Sequence, residues 1–549
     1  MLCTCIFANA CLHLNKKKKE VFAACITCFL LLLLIVTGRL VTLAMLFRKS
    51  MSGVRELSGY KTVTSKVVNC FTRNPSQESF LLDAILLDAC KRVNICIPLA
   101  SKEIPSYKWW EKLCKACADK PSTSRYGRAL LRQRLVRALS ERLAVDEVFR
   151  LNGHEIGKEN IAEPLVVMGL PRCNGHQAAH VLSRSGLFLA FKQSDTFAPS
   201  LLLDVERRDV FNHQFKCFSS IYPDFRCVRV INPDQIDDDL TLQLMCPESY
   251  AWGLLHGLDE YLLECLQEDQ TPVYQHLRRM CQLFQWYKRC GHFSECVLRD
   301  VNPINNPLEE QKYGSKFPLL QTQWLLFCPF AILSIESLHE AFPDMKLIWV
   351  HRALAQCLPS LCSSLAIHNS LYTGKSPSDS HLVTLGDKVL GTFGSGTEYA
   401  IDYLANFDKA RMVHWSNRDV KRHTTRLATK TLQYFGIDID RYRRMQIINS
   451  QTEYTEVFRP LHDSQMPYFG LHNGVISEVF DSYIYQFEEF AYEKRFGVTV
   501  EGYQPLAAPA DQQSLGTLRV DGGAQSFVPS FADGQPMAGH FLQEDKGFK

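Results

Sequence analysis

Two arginines, Arg172 and Arg352, stand just beyond short apolar runs, and that placement makes them the first candidates for chemistry. The run from Pro164 to Gly169 leads into the turn Gly169-Leu-Pro-Arg-Cys-Asn-Gly175, and a helical stretch, His176 to Ser185, follows. Strand, glycine turn and helix in that order aim backbone N–H groups and a helix N-terminus at a phosphate. A glycine there also serves close packing, so the turn alone leaves both readings open. The turn lacks the Gly-Lys-Ser/Thr that would place a lysine on β/γ-phosphates and a hydroxyl on magnesium, which argues against nucleoside-triphosphate hydrolysis. The second arginine follows Lys346 to Val350, a clear strand, within His351-Arg352. It therefore falls at the carboxyl end of a parallel strand, where open α/β sheets bind ligands. Ser360 lies eight residues further on. An acceptor hydroxyl would need a base within hydrogen-bond reach; His176, His180, His213 and the acidic run Asp237-Asp-Asp239 are the candidates, each histidine also having a plain structural role open to it.

Several blocks resemble the sulfotransferase family. Glu163-Pro-Leu-Val-Val-Met-Gly-Leu-Pro-Arg172 is similar to the family's opening strand and Gly-Leu-Pro-Arg-Thr-Gly-Thr-Thr turn. Leu338-His-Glu-Ala-Phe-Pro-Asp-Met-Lys-Leu-Ile-Trp-Val-His-Arg352 resembles its helix, Phe-Pro-Asp, strand and His-Arg. Tyr222-Pro-Asp-Phe-Arg226 and Pro467-Tyr-Phe-Gly-Leu471 resemble further family blocks in the expected order, so the resemblance runs from about residue 160 to 495. It implies a three-layer α/β/α fold with a central parallel sheet, of the P-loop-like sulfotransferase kind. It also implies transfer of a sulfuryl group from 3′-phosphoadenosine-5′-phosphosulfate (PAPS) to a hydroxyl or amine of a carbohydrate, lipid or small molecule, with no metal. Arg352 and Ser360 match the pair that holds the donor's 3′-phosphate, a dianion suited to an arginine fork. The 5′-phosphosulfate is expected on Gly169, Arg172, Asn174, Gly175, His176 and Gln177. Arg172 matches the basic residue that faces the leaving phosphate, where a cation stabilises developing charge. Arg172 and His176 are thus the expected catalytic residues, and either Arg459 or His462, which resembles a C-terminal family histidine, is expected to cover the nucleotide.

The departures are specific. Cys173-Asn-Gly-His-Gln177 replaces Thr-Gly-Thr-Thr, so His176 and Gln177 stand where hydroxyls would donate. Leu326-Phe-Cys-Pro329 replaces Leu-Lys-Ser-Pro, removing a second cation. The family's histidine base would fall near Arg229-Val230, where there is none. Two readings follow: an active sulfotransferase, or a sulfotransferase-like protein that keeps the grip on nucleotide but serves as a binding or scaffolding partner.

The elements that must position these residues can be read from periodicity. Residues 51–160 form a helical lead-in, with Ser79–Cys96 and Ser124–Phe149 at helical spacing; the arginines of the second segment are expected on a solvated face. Residues 161–500 form the sulfotransferase-like domain, with strands at 164–169, 324–329, 346–350 and 411–414. Helices are expected over 332–342, from Leu358 to Tyr372 and from Ser416 to Phe435. The acceptor pocket is expected from the helices between 190 and 290 and the loop after Tyr372. Residues 501–549, rich in Gly, Pro, Ala, Gln and Asp, read as a disordered tail.

The net charge of +3 excludes a nucleic-acid surface spread over the whole protein but allows a local basic pocket. Of 21 cysteines only Cys25/Cys28 and Cys114/Cys117 form Cys-x-x-Cys pairs, without a second pair at zinc-finger spacing. Val21 to Phe47, broken only by Arg39, is long enough for a single transmembrane helix, 21–47, within the segment 1–50. Lys16 to Lys19 favour a cytosolic N-terminus and a lumenal domain, as in the Golgi. The chain has no Asn-x-Ser/Thr acceptor with x other than proline, which leans toward a cytosolic domain, and Met51 offers an alternative start that omits the span. The expected partners are PAPS, an acceptor, the membrane and a second copy in a homodimer.

Overall fold

The computed structural model describes Thr72 and residues 74–95, 104–200, 207–221, 231–289, 323–374, 377–457 and 464–491. The apolar run 21–47, the block Tyr222–Arg226, Arg459, His462 and the tail 501–549 lie outside the described residues. No helix among the described residues is long and apolar enough to cross a membrane.

The principal elements are α1 (Leu82–Val93), α2 (Tyr107–Asp119), α3 (Arg125–Ile156), β1 (Leu165–Met168), α4 (Gly175–Ser183), α5 (Tyr250–His256) and α6 (Thr271–Arg289). They continue with β2 (Leu325–Phe327), β3 (Lys346–His351), α7 (Leu354–Thr373), α8 (Asp379–Leu404), β4 (Met412–Ser416), α9 (Asn417–Tyr434) and α10 (Arg441–Val457). The four strands form one parallel sheet in the order β2-β1-β3-β4. All of β1 is buried, as expected of strands covered on both faces. The central parallel sheet with its helices is the α/β architecture the short apolar runs predict.

Two boundaries differ from the sequence expectation. The expected helix over 332–342 is a short 3-10 turn, Ala331–Leu333, and a separate helix, Ile335–Ala341, divided at Ser334, whose backbone leaves helical values. Helix α7 starts at Leu354, not Leu358, because Pro359 sits inside the helix, whereas a proline reads most simply as a first-turn residue. Ser360 is therefore a buried residue of the second turn.

The helical lead-in shares one hydrophobic core with the sheet: Ile85 and Leu139 belong to the same cluster as Val166 and Ile348. The N-cap of α3 is fastened to the end of α7, with the backbone N–H and hydroxyl of Ser124 donating to the Tyr372 carbonyl at 2.9 and 3.0 Å. A Cβ at Gly127 would lie 1.9 Å from that same carbonyl oxygen, so only glycine permits this crossing. The Pro467–Leu471 block forms a 3-10 turn whose Phe469 carbonyl abuts Gly386 of α8, which gives that block a packing role.

Candidate active site

The loop between β1 and α4 is shaped by its backbone. Gly169 has φ +153, and a Cβ there would lie 2.2 Å from the Val350 carbonyl oxygen, so β1 and β3 end in direct contact. Arg172 and Asn174 hold φ of 78 and 79, with Cys173 outside that region. Residues that alternate in this way curve their N–H groups toward one side and make an anion-binding concavity. Asparagine tolerates the left-handed region; for arginine it costs about 1–2 kcal/mol. Asn174 caps α4, and its amide donates to Gln177 Oε1 at 2.7 Å, so two of the expected donor contacts pair with each other. Gly175 lies beneath the Phe327 ring, which would meet a Cβ at 2.8 Å.

Arg352 and Ser360 converge on this loop. Arg352 Nη1 donates to the Arg172 carbonyl at 2.7 Å, and Arg172 Nε donates to Ser360 Oγ at 3.1 Å. The Cys357 thiol donates to the Pro171 carbonyl at 3.1 Å. The loop is thus stitched to the first turns of α7. Arg172, expected from the resemblance to face the leaving phosphate, instead turns its side chain toward the serine expected at the other end of the nucleotide. Arg352 Nε is buried without a hydrogen-bond partner. A buried guanidinium N–H left unmet is costly, and an anion at this point would relieve it.

Both arginines open onto one cavity of about 1070 Å³, which Gly169, Arg172, Asn174, Gly175, His176, Gln177 and Ser360 also line. That is at the upper end of the volumes typical of small-molecule sites. The residues present fit a doubly phosphorylated nucleotide: a concave N–H loop, a helix N-terminus and an arginine with an unmet donor. Arg459 and His462 lie outside the described residues.

His176 lies on the cavity wall, edge-on to Phe327, with Nε2 3.2 Å from the Ile236 carbonyl. A carbonyl only accepts, so Nε2 carries the proton and is not a base. His180 is buried against Gln235, at 2.5 Å, and burial pushes it down to about 3, so it is neutral and structural. Asp237 accepts from the Thr196 hydroxyl and, with Asp238, lines the cavity. Asp239 does not line it; it is buried against Gln243 and burial raises it to about 7. His213's side chain lies outside the described residues. Phe327 occupies the place where the family resemblance leads one to look for a second cation.

The far wall of the cavity is the finding that periodicity missed. Helix α3 supplies Tyr126, Leu130, Arg134 and Arg137, which corrects the expectation of a solvated arginine face. Arg132 does face outward and pairs with Asp88 at 2.6 Å. Arg137 lies over the Phe197 ring, 3.1 Å from its centroid, and donates to the Phe197 carbonyl; burial pushes it down to about 9. Phe197, Phe211, Leu244 and Trp252 come from the expected region between 190 and 290, and Tyr372 also lines the wall. The signal for Arg134 and Arg137 was their spacing with Leu130 and Ala138, which puts all four on one side of a helix. The Cys114/Cys117 pair lies buried on α2, away from the cavity, with burial raising Cys114 to about 12.

Comparison with known proteins agrees with this architecture. Residues 247–441 match the model of the sulfotransferase family. Sulfotransferase STF9 from Mycobacterium avium superposes with a TM-score of 0.56 over 74% of this chain and 97% of its own, at 16% identity. Sulfotransferase STF1 from Mycobacterium tuberculosis H37Rv gives a TM-score of 0.56 over 73% of this chain and 98% of its own, at 17% identity. No curated protein sequence matches the chain. The family match is confined to residues 247–441, and the fold of the chain is the one seen in these two sulfotransferases.

Proposed function

We propose that the chain binds PAPS between the Gly169–Gln177 loop and Arg352, and transfers its sulfuryl group to a hydroxyl or amine. The observation that carries this reading is the buried, unpartnered Nε of Arg352, set in one cavity beside a loop whose Arg172 and Asn174 hold positive φ. In the reaction the acceptor oxygen or nitrogen forms a bond to sulfur as the bond from sulfur to the 5′-phosphate oxygen breaks. The electron pair of that bond leaves on 3′,5′-adenosine bisphosphate. The α4 N-terminus and the loop before it stabilise the charge that develops there, while Arg352 holds the 3′-phosphate. The acceptor's proton passes to the Asp237–Asp238 carboxylates on the cavity wall.

A second reading, nucleotide binding without turnover, is favoured by Phe327 on the cavity wall and by the tied Nε2 of His176. One experiment separates them. 3′,5′-Adenosine bisphosphate at a hundred times its Kd is expected to stabilise the chain by about 2.7 kcal/mol, seen as a rise in Tm of a few degrees. Sulfate transfer from PAPS to a broad acceptor panel then reports catalysis. Stabilisation without transfer supports the second reading, and no stabilisation refutes both. The proposal extends to a single-pass anchor over residues 21–47, which would keep the full chain with membranes after alkaline carbonate washing and release it in detergent.

A further inference from the structure

The proposed donor site leaves Arg134 of the cavity wall without a role. Arg134 lies on α3, between Leu130 and Ala138 of the preceding and following turns, all three on the cavity wall. Its Nε is buried without a hydrogen-bond partner, and the side chain makes no ion pair or hydrogen bond among the described residues. The carboxylate nearest along the same face, Glu141, is already engaged by the Ser200 amide and hydroxyl at 3.4 and 3.0 Å. The Arg134 charge bears on Arg137, His256 and Tyr372, none of them a carboxylate. Folding buries Nε here at a cost that no described residue offsets. Leu130, Trp252 and Leu255 supply apolar surface to the same cavity wall.

We infer that Arg134 receives an anionic group on the acceptor, so that the acceptor is an elongated amphipathic alcohol or amine with a carboxylate or sulfate remote from the reacting atom. This rests on the proposed sulfotransferase reading and names its substrate class. The donor's own charges are met elsewhere, by Arg172, Arg352 and the α4 N-terminus, which come from the sheet ends. Arg134 comes from the helical lead-in and faces the apolar half of the cavity. An apolar body along Leu130, Trp252 and Leu255 would put the anion on the guanidinium and leave the hydroxyl directed at the loop.

The test uses the full chain saturated with 3′,5′-adenosine bisphosphate, with 12-hydroxydodecanoate and its methyl ester as probes. Calorimetric titration is expected to show the acid binding roughly ten- to a hundredfold tighter than the ester, the span of one charge-assisted contact. Arg134→Met, which retains the apolar stem, is expected to abolish that preference while leaving ester and bisphosphate affinities unchanged. Arg134→Lys restores part of it. Equal binding of acid and ester, binding of neither, or an unchanged preference in Arg134→Met overturns the inference. A loss of bisphosphate binding in Arg134→Met also overturns it, because the arginine would then serve the donor. Failure of the wild-type chain to bind bisphosphate is a separate result and refutes the donor reading instead.

Discussion

Arg352→Ala tests the donor site most directly. The guanidinium has two jobs in the structure: Nη1 holds the Arg172 carbonyl at 2.7 Å, and Nε is buried with nothing to bond. Removing one partner of a buried, hydrogen-bonded charge pair costs about 2–5 kcal/mol in binding, or roughly 30- to several-thousandfold in Kd. The loss should fall on ligands that carry a 3′-phosphate. The assay is therefore a calorimetric comparison of 3′,5′-adenosine bisphosphate with adenosine 5′-monophosphate, in the wild type and in Arg352→Ala. The wild type is expected to prefer the bisphosphate by at least about thirtyfold, and the variant by less than about threefold. Loss of the bond to the Arg172 carbonyl would also loosen the loop, an effect of about 1.5–3 kcal/mol that weakens both ligands alike and appears in Tm. The ratio between the ligands isolates the phosphate contact from that loosening. If the variant keeps the wild-type preference, Arg352 does not hold the 3′-phosphate and the argument for the site fails.

Two further outcomes follow from the packing. Gly169→Ala places a methyl group 2.2 Å from the Val350 carbonyl oxygen at φ +153 and is expected to destabilise by about 2–5 kcal/mol in urea titration; a loss under about 0.5 kcal/mol would contradict the described contact between strand ends. Stability should also fall as pH drops from about 6.5 toward 4. Burial holds His414 near 4 and His180 near 3, and puts His256, His276 and His351 well below 6.5, so the unfolded chain takes up protons that the folded chain refuses. Burial raises Asp239 to about 7 and also raises Asp195, which works in the opposite direction over the same window. Burial also raises Asp387 and lowers His339 and His381, so three aspartates stand against seven histidines and leave the net sign acid-labile by a few kcal/mol, on the order of the larger single shifts. A urea midpoint that is flat from pH 7.5 to 4.5 would show this balance to be wrong.

The sheet was legible because its strands are short, continuous and apolar. Leu165–Met168 and Lys346–His351 contrast sharply with their flanks, and Gly169 and Arg352 mark their ends. What joins them was not legible. Arg172 reaches Ser360 across 188 residues, a contact set by strand order and by the left-handed backbone at Arg172, and neither leaves a trace in local spacing. Pro359 misdirected the start of α7 because the usual rule places proline in a first turn, whereas here the packed helix tolerates it in the second. The arginines of α3 were misjudged as one population. Arg132 finds Asp88 in a neighbouring helix, while Arg134 and Arg137 face the cavity. Helical spacing shows that these residues occupy different faces, but not which face meets solvent when both are rich in arginine.

The replaced residues bear on catalysis in a way that magnitudes can order. Losing loop hydroxyls costs neutral hydrogen bonds to the donor, about 1 kcal/mol each, and the Asn174–Gln177 pair shows that the remaining polar side chains satisfy each other instead. Losing a cation at Phe327 matters more, because charge develops on the leaving phosphate and preorganised charge acts most strongly in a dry site. The ring fills its place well: it packs over Gly175 and against the edge of His176, so a lysine could not enter without displacing that contact. Whatever electrostatic stabilisation this chain provides there must then come from the α4 N-terminus and the loop before it. Both are coupled to Arg352, since Arg352 holds the carbonyl of Arg172, and Arg172 and Asn174 adopt the positive φ that curves the loop. On the proposed reading, grip and catalysis depend on the same few bonds, and a change that loosens one of them should weaken donor binding and slow transfer together.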